Sequence, residues 1–353
     1  MEEIKMKKLV SLLLAVAMLL SLAACGSTST ATAKSTTAAT AGSDSPVIAE
    51  DGDVTKADKD YRIGVFFKDS TSMFWRYVGE GCEAKAKELG VEFVEYSPSN
   101  YTDAAGQINM LEDAIASGID AIAIAAIDST AVVDTLVKAE DSGIPVIVFN
   151  TLIPDFEATG KQRTFIGLDN AAASEEVMER ILKEHDYKAN VVILEGTPAT
   201  LQNNERCGTA KAVCDKYEGV KIIASQPTNA NREQAMSVME NILQSTTDID
   251  VVFAINDSVG LGAQQAIEAA GVTGIDIVGI DGTPDSVTSI MAGRAYKYSM
   301  DQGPFECGSA VIQAAVDAIE GRELEPVIRV GGTCVGADNA QAHMDKYYPD
   351  YQG

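Results

Sequence analysis

The chain has 353 residues, 46% of them hydrophobic, and carries 52 acidic against 27 basic side chains, a formal charge of −25. That length and apolar content suffice for a large core, arranged as two lobes or domains. So negative a surface is repelled by phosphate backbones and anionic headgroups, which sets nucleic acid aside as a partner.

At the N-terminus, Lys7 and Lys8 precede the apolar run LVSLLLAVAMLLSLAA, Leu9 to Ala24, which is followed by Cys25. The run is short for a spanning helix and has the order of a signal peptide. Glu2 and Glu3 sit oddly in a basic leader, and a start at Met6 removes them. Leu22-Ala23-Ala24-Cys25 resembles a bacterial lipobox, so 1–24 is read as a lipoprotein signal peptide and Cys25 as the lipidated mature N-terminus. Ordinary cleavage with a free Cys25 is the alternative. Acyl chains contribute about 0.8 kcal/mol per buried methylene, enough to hold the protein on the outer face of the cell membrane or in the periplasm. Residues 25–60 are rich in Ser, Thr, Ala, Gly and Asp and read as a flexible tether.

From Tyr61 onward, short Val/Ile-rich runs alternate with longer segments of helical period, the pattern of parallel sheets covered by helices. Strands are expected at 61–67, 91–96, 120–127 and 145–150, then at 189–196, 220–226, 249–256, 275–281 and 295–301. Helices lie between them, among them 73–90, ending at Gly90, and 304–321. Two successive open sheets imply two doubly wound α/β lobes.

Ligands of such sheets bind beyond the carboxyl ends of the strands, where the strand order reverses. The residues there are Asp69 to Trp75, Ile127 to Ser129, Asn150-Thr151, Thr197 to Asn204, Asn256-Asp257, Asp281-Gly282 and Asp301-Gln302, mostly neutral or acidic hydrogen-bonding groups. The first strand-helix turn, GVFFKDSTSMF, has no G-x-G-x-x-G, and the chain contains neither a phosphate loop nor a G-x-S-x-G elbow. His185 and His343 both read as surface histidines. With two histidines and no C-x-x-C pair, no zinc site is expected. Cys82, Cys207, Cys214, Cys307 and Cys334 read as small buried hydrophobes.

Three stretches, VVFAINDSVGLGA at 251–263, DIVGIDGTPDS at 276–286 and GIPVIVFNT at 143–151, resemble the ribose/galactose-type solute-binding proteins of bacterial ABC importers. The likeness runs in order from about 61 to 331. It implies the type I periplasmic-binding-protein fold, two lobes joined by a three-crossing hinge. Crossings are expected near 169–170, 302–303 and 331–332, giving one lobe of 61–169 plus 303–331 and a second of 170–302 plus 332–353. The resemblance implies a sugar site with Ser72, Phe74 and Trp75 at the first helix, Asn256, Asp281 and Gln302 as polar ligands, and Asn150, Thr151 and Asn204 at positions where ribose binders carry an Asp-Arg pair and a second arginine. Ala125 and Ala230 stand where those binders have an asparagine and a second-lobe aromatic. Loss of two guanidiniums is expected to lower the positive charge of the cleft and to favour an uncharged ligand.

These readings converge on a non-enzymatic, cofactor-free, monomeric receptor that captures a neutral sugar or polyol and delivers it to an ABC permease and its ATPase. Presentation of the ligand to a membrane sensor, or binding of a nucleoside, are the alternatives. A transcription regulator on this fold needs an N-terminal helix-turn-helix, where this chain has a signal segment.

Overall fold

The computed structural model describes residues 56–198 and 200–352. The expected signal peptide, Cys25 and nearly all of the expected tether lie outside the described residues. Within them the chain forms twelve strands and eleven helices.

The first sheet takes β1 (Arg62–Phe66), β2 (Glu92–Tyr96), β3 (Ala121–Ile124), β4 (Val146–Phe149), β5 (Phe165–Gly167) and, much later, β11 (Val327–Arg329), in the order β11-β5-β4-β3-β1-β2. The second takes β6 (Ala189–Glu195), β7 (Val220–Pro227), β8 (Val251–Ala254), β9 (Asp276–Asp281), β10 (Tyr296–Asp301) and β12 (Cys334–Val335), in the order β12-β10-β9-β8-β6-β7. All pairs are parallel except β10 with β12. Each sheet reverses its order beside its first strand, between β1 and β3 and between β6 and β8, which places a crevice at the carboxyl ends of those strands.

The expected strands all form. The short β5, β11 and β12 join them without a counterpart among the expected runs, because two or three residues carry too little apolar pattern to be seen.

The layering follows from side-chain alternation. On β3, Ala121 and Ala123 face a core shared with α1 (Met73–Leu89) and α10 (Pro304–Ile319). Ile122 and Ile124 face the opposite core, under α2 (Ala104–Ala116), α3 (Val133–Asp141) and α4 (Pro154–Glu157). Helices α1 and α10 approach closely at two glycines. A Cβ on Gly81 would meet the Phe305 carbonyl oxygen at 2.0 Å, and one on Gly308 would meet that of Val78 at 2.0 Å. In the second lobe, α5 (Asn170–Glu184), α6 (Leu201–Asp215), α7 (Arg232–Ser245), α8 (Asp257–Ala269) and α9 (Pro284–Met291) cover the sheet, and α11 (Ala340–Tyr347) packs on α9.

Three segments carry the chain between the sheets: β5 to α5, β10 to α10, and β11 to β12. The last two run side by side. Asp301 N–H donates to the Thr333 carbonyl at 2.8 Å, and Gly332 N–H donates to the Asp301 carbonyl at 2.8 Å. A Cβ on Gly331 would sit 2.5 Å from that Asp301 oxygen, so only glycine permits this contact.

One expectation fails here. His343 is buried, 5% exposed, with Nε2 3.1 Å from the Gly282 carbonyl oxygen, and burial lowers its pKa. The polar stretch around it suggests the surface, but α11 folds back and turns this face inward against the loop after β9. His185 is half-buried, with Nε2 3.0 Å from the Asp276 carboxylate. The five described cysteines are free and buried.

Candidate functional site

Both crevices open toward each other, and the segments after β1, β4, β6, β8, β9 and β10 enclose one cavity. Measured as the space open to the centre of a water, it holds about 20 Å³. Phe74, Trp75, Lys68, Tyr101 and Asn150 wall it from the first lobe, Gly196, Thr197, Thr200, Gln202, Arg206, Ala230, Ile255, Asn256 and Asp281 from the second, and Gln302 from a crossing segment.

On the first side, the Asp69 carboxylate accepts from Thr71 N–H at 2.6 Å and Ser72 N–H at 2.8 Å, an Asx-type turn that fixes the start of α1. Phe74 and Trp75 come next, 3% and 2% exposed. Their rings meet edge to face at 4.8 Å, and Trp75 stacks on Phe67 at 5.4 Å. The indole N–H donates to the Tyr101 hydroxyl at 2.7 Å. The pair is therefore the end of the hydrophobic core and the wall of the cavity at once.

On the second side, Asp281 is a non-glycine residue at φ 146° whose carboxylate accepts from Gln302 Nε2 at 2.5 Å and lies 4.0 Å from Arg206 Nη1. Burial and the neighbouring Asp257 push the Asp281 carboxyl well up, and Arg206 works against them. Arg206 is itself 1% exposed and donates to Asn170 Oδ1 at 2.8 Å and the Ile255 carbonyl at 3.0 Å. Its Nη2 has no partner among the described residues, and neither has the Thr197 hydroxyl. Asn256 caps α8, its Oδ1 accepting from Val259 N–H at 3.0 Å, while the residue still lines the cavity. Strained backbone recurs at Asn150, φ 61°; such conformations collect at ligand sites because the surrounding structure must hold them.

A hydrogen-bonded chain ties the two sides. Lys68 Nζ donates to the Thr151 hydroxyl and, at 3.2 Å, to Gln202 Oε1, and Gln202 Nε2 donates to Asn150 Oδ1 at 3.2 Å. Burial, with Arg206 beside it, lowers the Lys68 pKa to about 7.

Of the residues singled out from sequence, Phe74, Trp75, Asn150, Asn256, Asp281 and Gln302 share the cavity wall. Thr151 stands behind it, holding Lys68. Ser72 lies outside, in the cleft mouth. Asn204 is exposed on α6, and the helix turns Arg206 inward instead, since two positions rotate a side chain by roughly 200°. Arg206 and Lys68 both line the cavity, so two cationic side chains stand there alongside the uncharged Thr151 and Asn204 at the positions of the two expected guanidinium losses. Sequence reasoning misses Lys68, Tyr101 and Arg206, and takes in Gln202 only as part of the strand-end stretch Thr197 to Asn204. Lys68 directly succeeds a buried strand run, and a charge at that point is the signal that could have found it.

A model of the periplasmic binding protein domain matches residues 63–323, and the chain belongs to that family. Among similar proteins are a xylitol-binding protein of Mycolicibacterium smegmatis, 31% identical with 78% of each chain covered, and a ribose import binding protein of Bacillus subtilis, 29% identical with 76% of this chain and 85% of that one covered. A solved structure of an ABC transporter periplasmic solute binding protein from Actinobacillus succinogenes with bound D-allose superposes with a TM-score of 0.75 at 28% identity, covering 80% of this chain and 99% of that one.

Proposed function

We propose that the protein is the extracytoplasmic, lipid-anchored solute receptor of an ABC importer, binding a neutral sugar or polyol between its lobes and presenting the closed form to a permease. The observation that carries this reading is the unmet hydrogen-bonding capacity of the cavity. Arg206 Nη2 and the Thr197 hydroxyl are buried without partners among the described residues, in the cavity that Phe74 and Trp75 also line. A buried donor left unpaired costs about 1–3 kcal/mol, so a ligand that supplies acceptors is strongly favoured there. A sugar or polyol hydroxyl both donates and accepts, which suits the mixed set of Asp281, Asn256, Gln302 and Arg206, and its C–H surface suits the aromatic rings.

The xylitol, ribose and D-allose named for the relatives support this ligand class. Ser72, Thr151 and Asn204 enter the proposal as supporting or peripheral residues, and Phe74, Trp75, Asn150, Asn256, Asp281 and Gln302 as contacts. The lobes 61–169 plus 303–331 and 170–302 plus 332–353 would close as bodies about the three crossings, ligand contact with both favouring the closed state. Binding without turnover is the proposed role; the acids and amides of the site serve as hydrogen-bonding groups.

Trp75 is the sole tryptophan of the chain, so its fluorescence reports the site directly. Titration with a panel of neutral saccharides and polyols should shift its emission saturably for at least one. Preference for an acidic sugar, or a panel without any binder, would overturn the reading.

A further inference from the structure

One side chain of the cavity wall ties the lobes directly to each other. Away from the three crossings, the only side-chain hydrogen bonds between the lobes among the described residues are those of Gln202. Thr200 caps α6, its hydroxyl accepting from Asn203 N–H at 3.2 Å, and this sets Gln202 in the first turn of the helix. From there its amide oxygen accepts from Lys68 Nζ at 3.2 Å, while Nε2 donates to Asn150 Oδ1 at 3.2 Å and to the Asn150 carbonyl at 3.4 Å. Both ends of the amide are spent on the first lobe.

The amide also stands in the cavity where a ligand would lie. A space of about 20 Å³ admits roughly one water and no sugar ring, so a wall residue must move aside before a ring enters. Phe74 and Trp75 are fixed in the hydrophobic core, Arg206 and Asp281 are held by buried polar partners, and Asn256 caps α8. Gln202 is half-buried and uncharged, so its departure strands no charge and empties no core. It would release a donor, Lys68 Nζ, and an acceptor, Asn150 Oδ1. Hydroxyls supply the matching acceptor and donor.

We propose that Gln202 is a displaceable stand-in for the ligand: its amide holds the lobes together until a sugar takes over its bonds to Lys68 and Asn150. The proposal rests on the sugar-binding reading above and adds a residue that sets the affinity. A closed form held by Gln202 draws protein away from the open form that admits ligand, and apparent affinity falls with the competent fraction.

Trp75 fluorescence titrations of wild type and Gln202→Ala with neutral saccharides and polyols, D-glucose, D-galactose, D-xylose and D-sorbitol among them, test this together with small-angle scattering of both proteins without sugar. Alanine is a strong helix former, so the first turn of α6 should persist in the variant. The variant should bind at least one sugar about threefold or more tightly than wild type, and should scatter as a more open molecule. Equal or weaker binding would make Gln202 an ordinary ligand contact and overturn the inference, leaving the sugar reading intact. Unchanged scattering would overturn it too. If neither protein binds any member of the panel, the sugar reading itself falls and this inference with it.

Discussion

The two lobes share one strand order and yet build walls of different emphasis, the first adding rings to its Lys68 and Asn150. The first presents aromatic rings that are continuous with its core, Phe74 and Trp75 resting on Phe67 and Phe149. The second presents charge and amides, Asp281 with Arg206, Asn256 and Gln202. The difference lies in the turns at the strand ends. In the first lobe the turn after β1 is clamped by Asp69 and leads directly into a helix whose first residues are rings. In the second, the turns after β8 and β9 are held by a buried carboxylate, Asp257, which accepts from Thr283 N–H at 2.8 Å, Tyr296 Oη at 2.7 Å and Ser299 Oγ at 2.6 Å. One topology thus positions either packing or polarity, depending on the residues at its loop ends.

The largest effect is expected on the ionic side. Asp281→Ala leaves Arg206 buried without its carboxylate, a loss of about 3–5 kcal/mol by analogy with broken buried pairs. Calorimetry with any bound sugar should show affinity falling beyond detection, and thermal melting should fall as well. The paired variant Arg206→Met/Asp281→Leu should recover much of the melting temperature but none of the affinity. Full retention of affinity in Asp281→Ala would erase the distinction between the walls.

A smaller loss is expected on the aromatic side. Trp75→Ala removes a ring with three aromatic neighbours, a destabilisation of about 3 kcal/mol, at the low end of aromatic truncations because the cavity beside it already lacks packing. Trp75→Phe should keep most of the stability, as read by denaturant unfolding, and weaken ligand binding only modestly. Equal losses for both variants would mean that the indole N–H bond to Tyr101 outweighs the packing.

The smallest effect concerns the chain of hydrogen bonds that joins the walls. Lys68 titrates near 7 when buried as it is here, because burial and Arg206 disfavour its charge with Asp281 opposing, and near its ordinary 10.5 in an open form that solvates it. Between those values the open form holds a proton that the closed form releases, so raising the pH through this window should favour closure. Small-angle scattering of the ligand-free protein should register a rise in the closed population from pH 7 to 10, absent in Lys68→Met. A rise that persists in the variant would assign the effect to other groups.

Much of the first wall is legible in the sequence and less of the second. Phe74, Trp75 and Asp69 sit within one short segment, where a strand end, a turn and a helix start are local patterns. Asp281 and Asn256 also end well-marked strands. Arg206 yields to Asn204 in a linear reading because helical phase decides which of two nearby side chains faces inward, and that phase depends on how α6 is seated against α5 and β7. Lys68 and Thr151 meet at the ends of strands of one sheet, and Gln202 joins them only because the second sheet is brought face to face with it, with 134 positions separating Lys68 from Gln202.

The sequence by itself determined the two-lobed α/β plan, since alternating apolar strand runs and amphipathic helices are set by side-chain period. It also marked the loop ends at which a ligand would be held. The tertiary structure alone decided which side chains share the cavity and that His343 is buried behind the Asp281-Gly282 loop. Those outcomes depend on the approach of segments far apart in the chain. Local propensity carries no information about such distances, whereas packing and hydrogen-bond satisfaction fix them once the lobes meet.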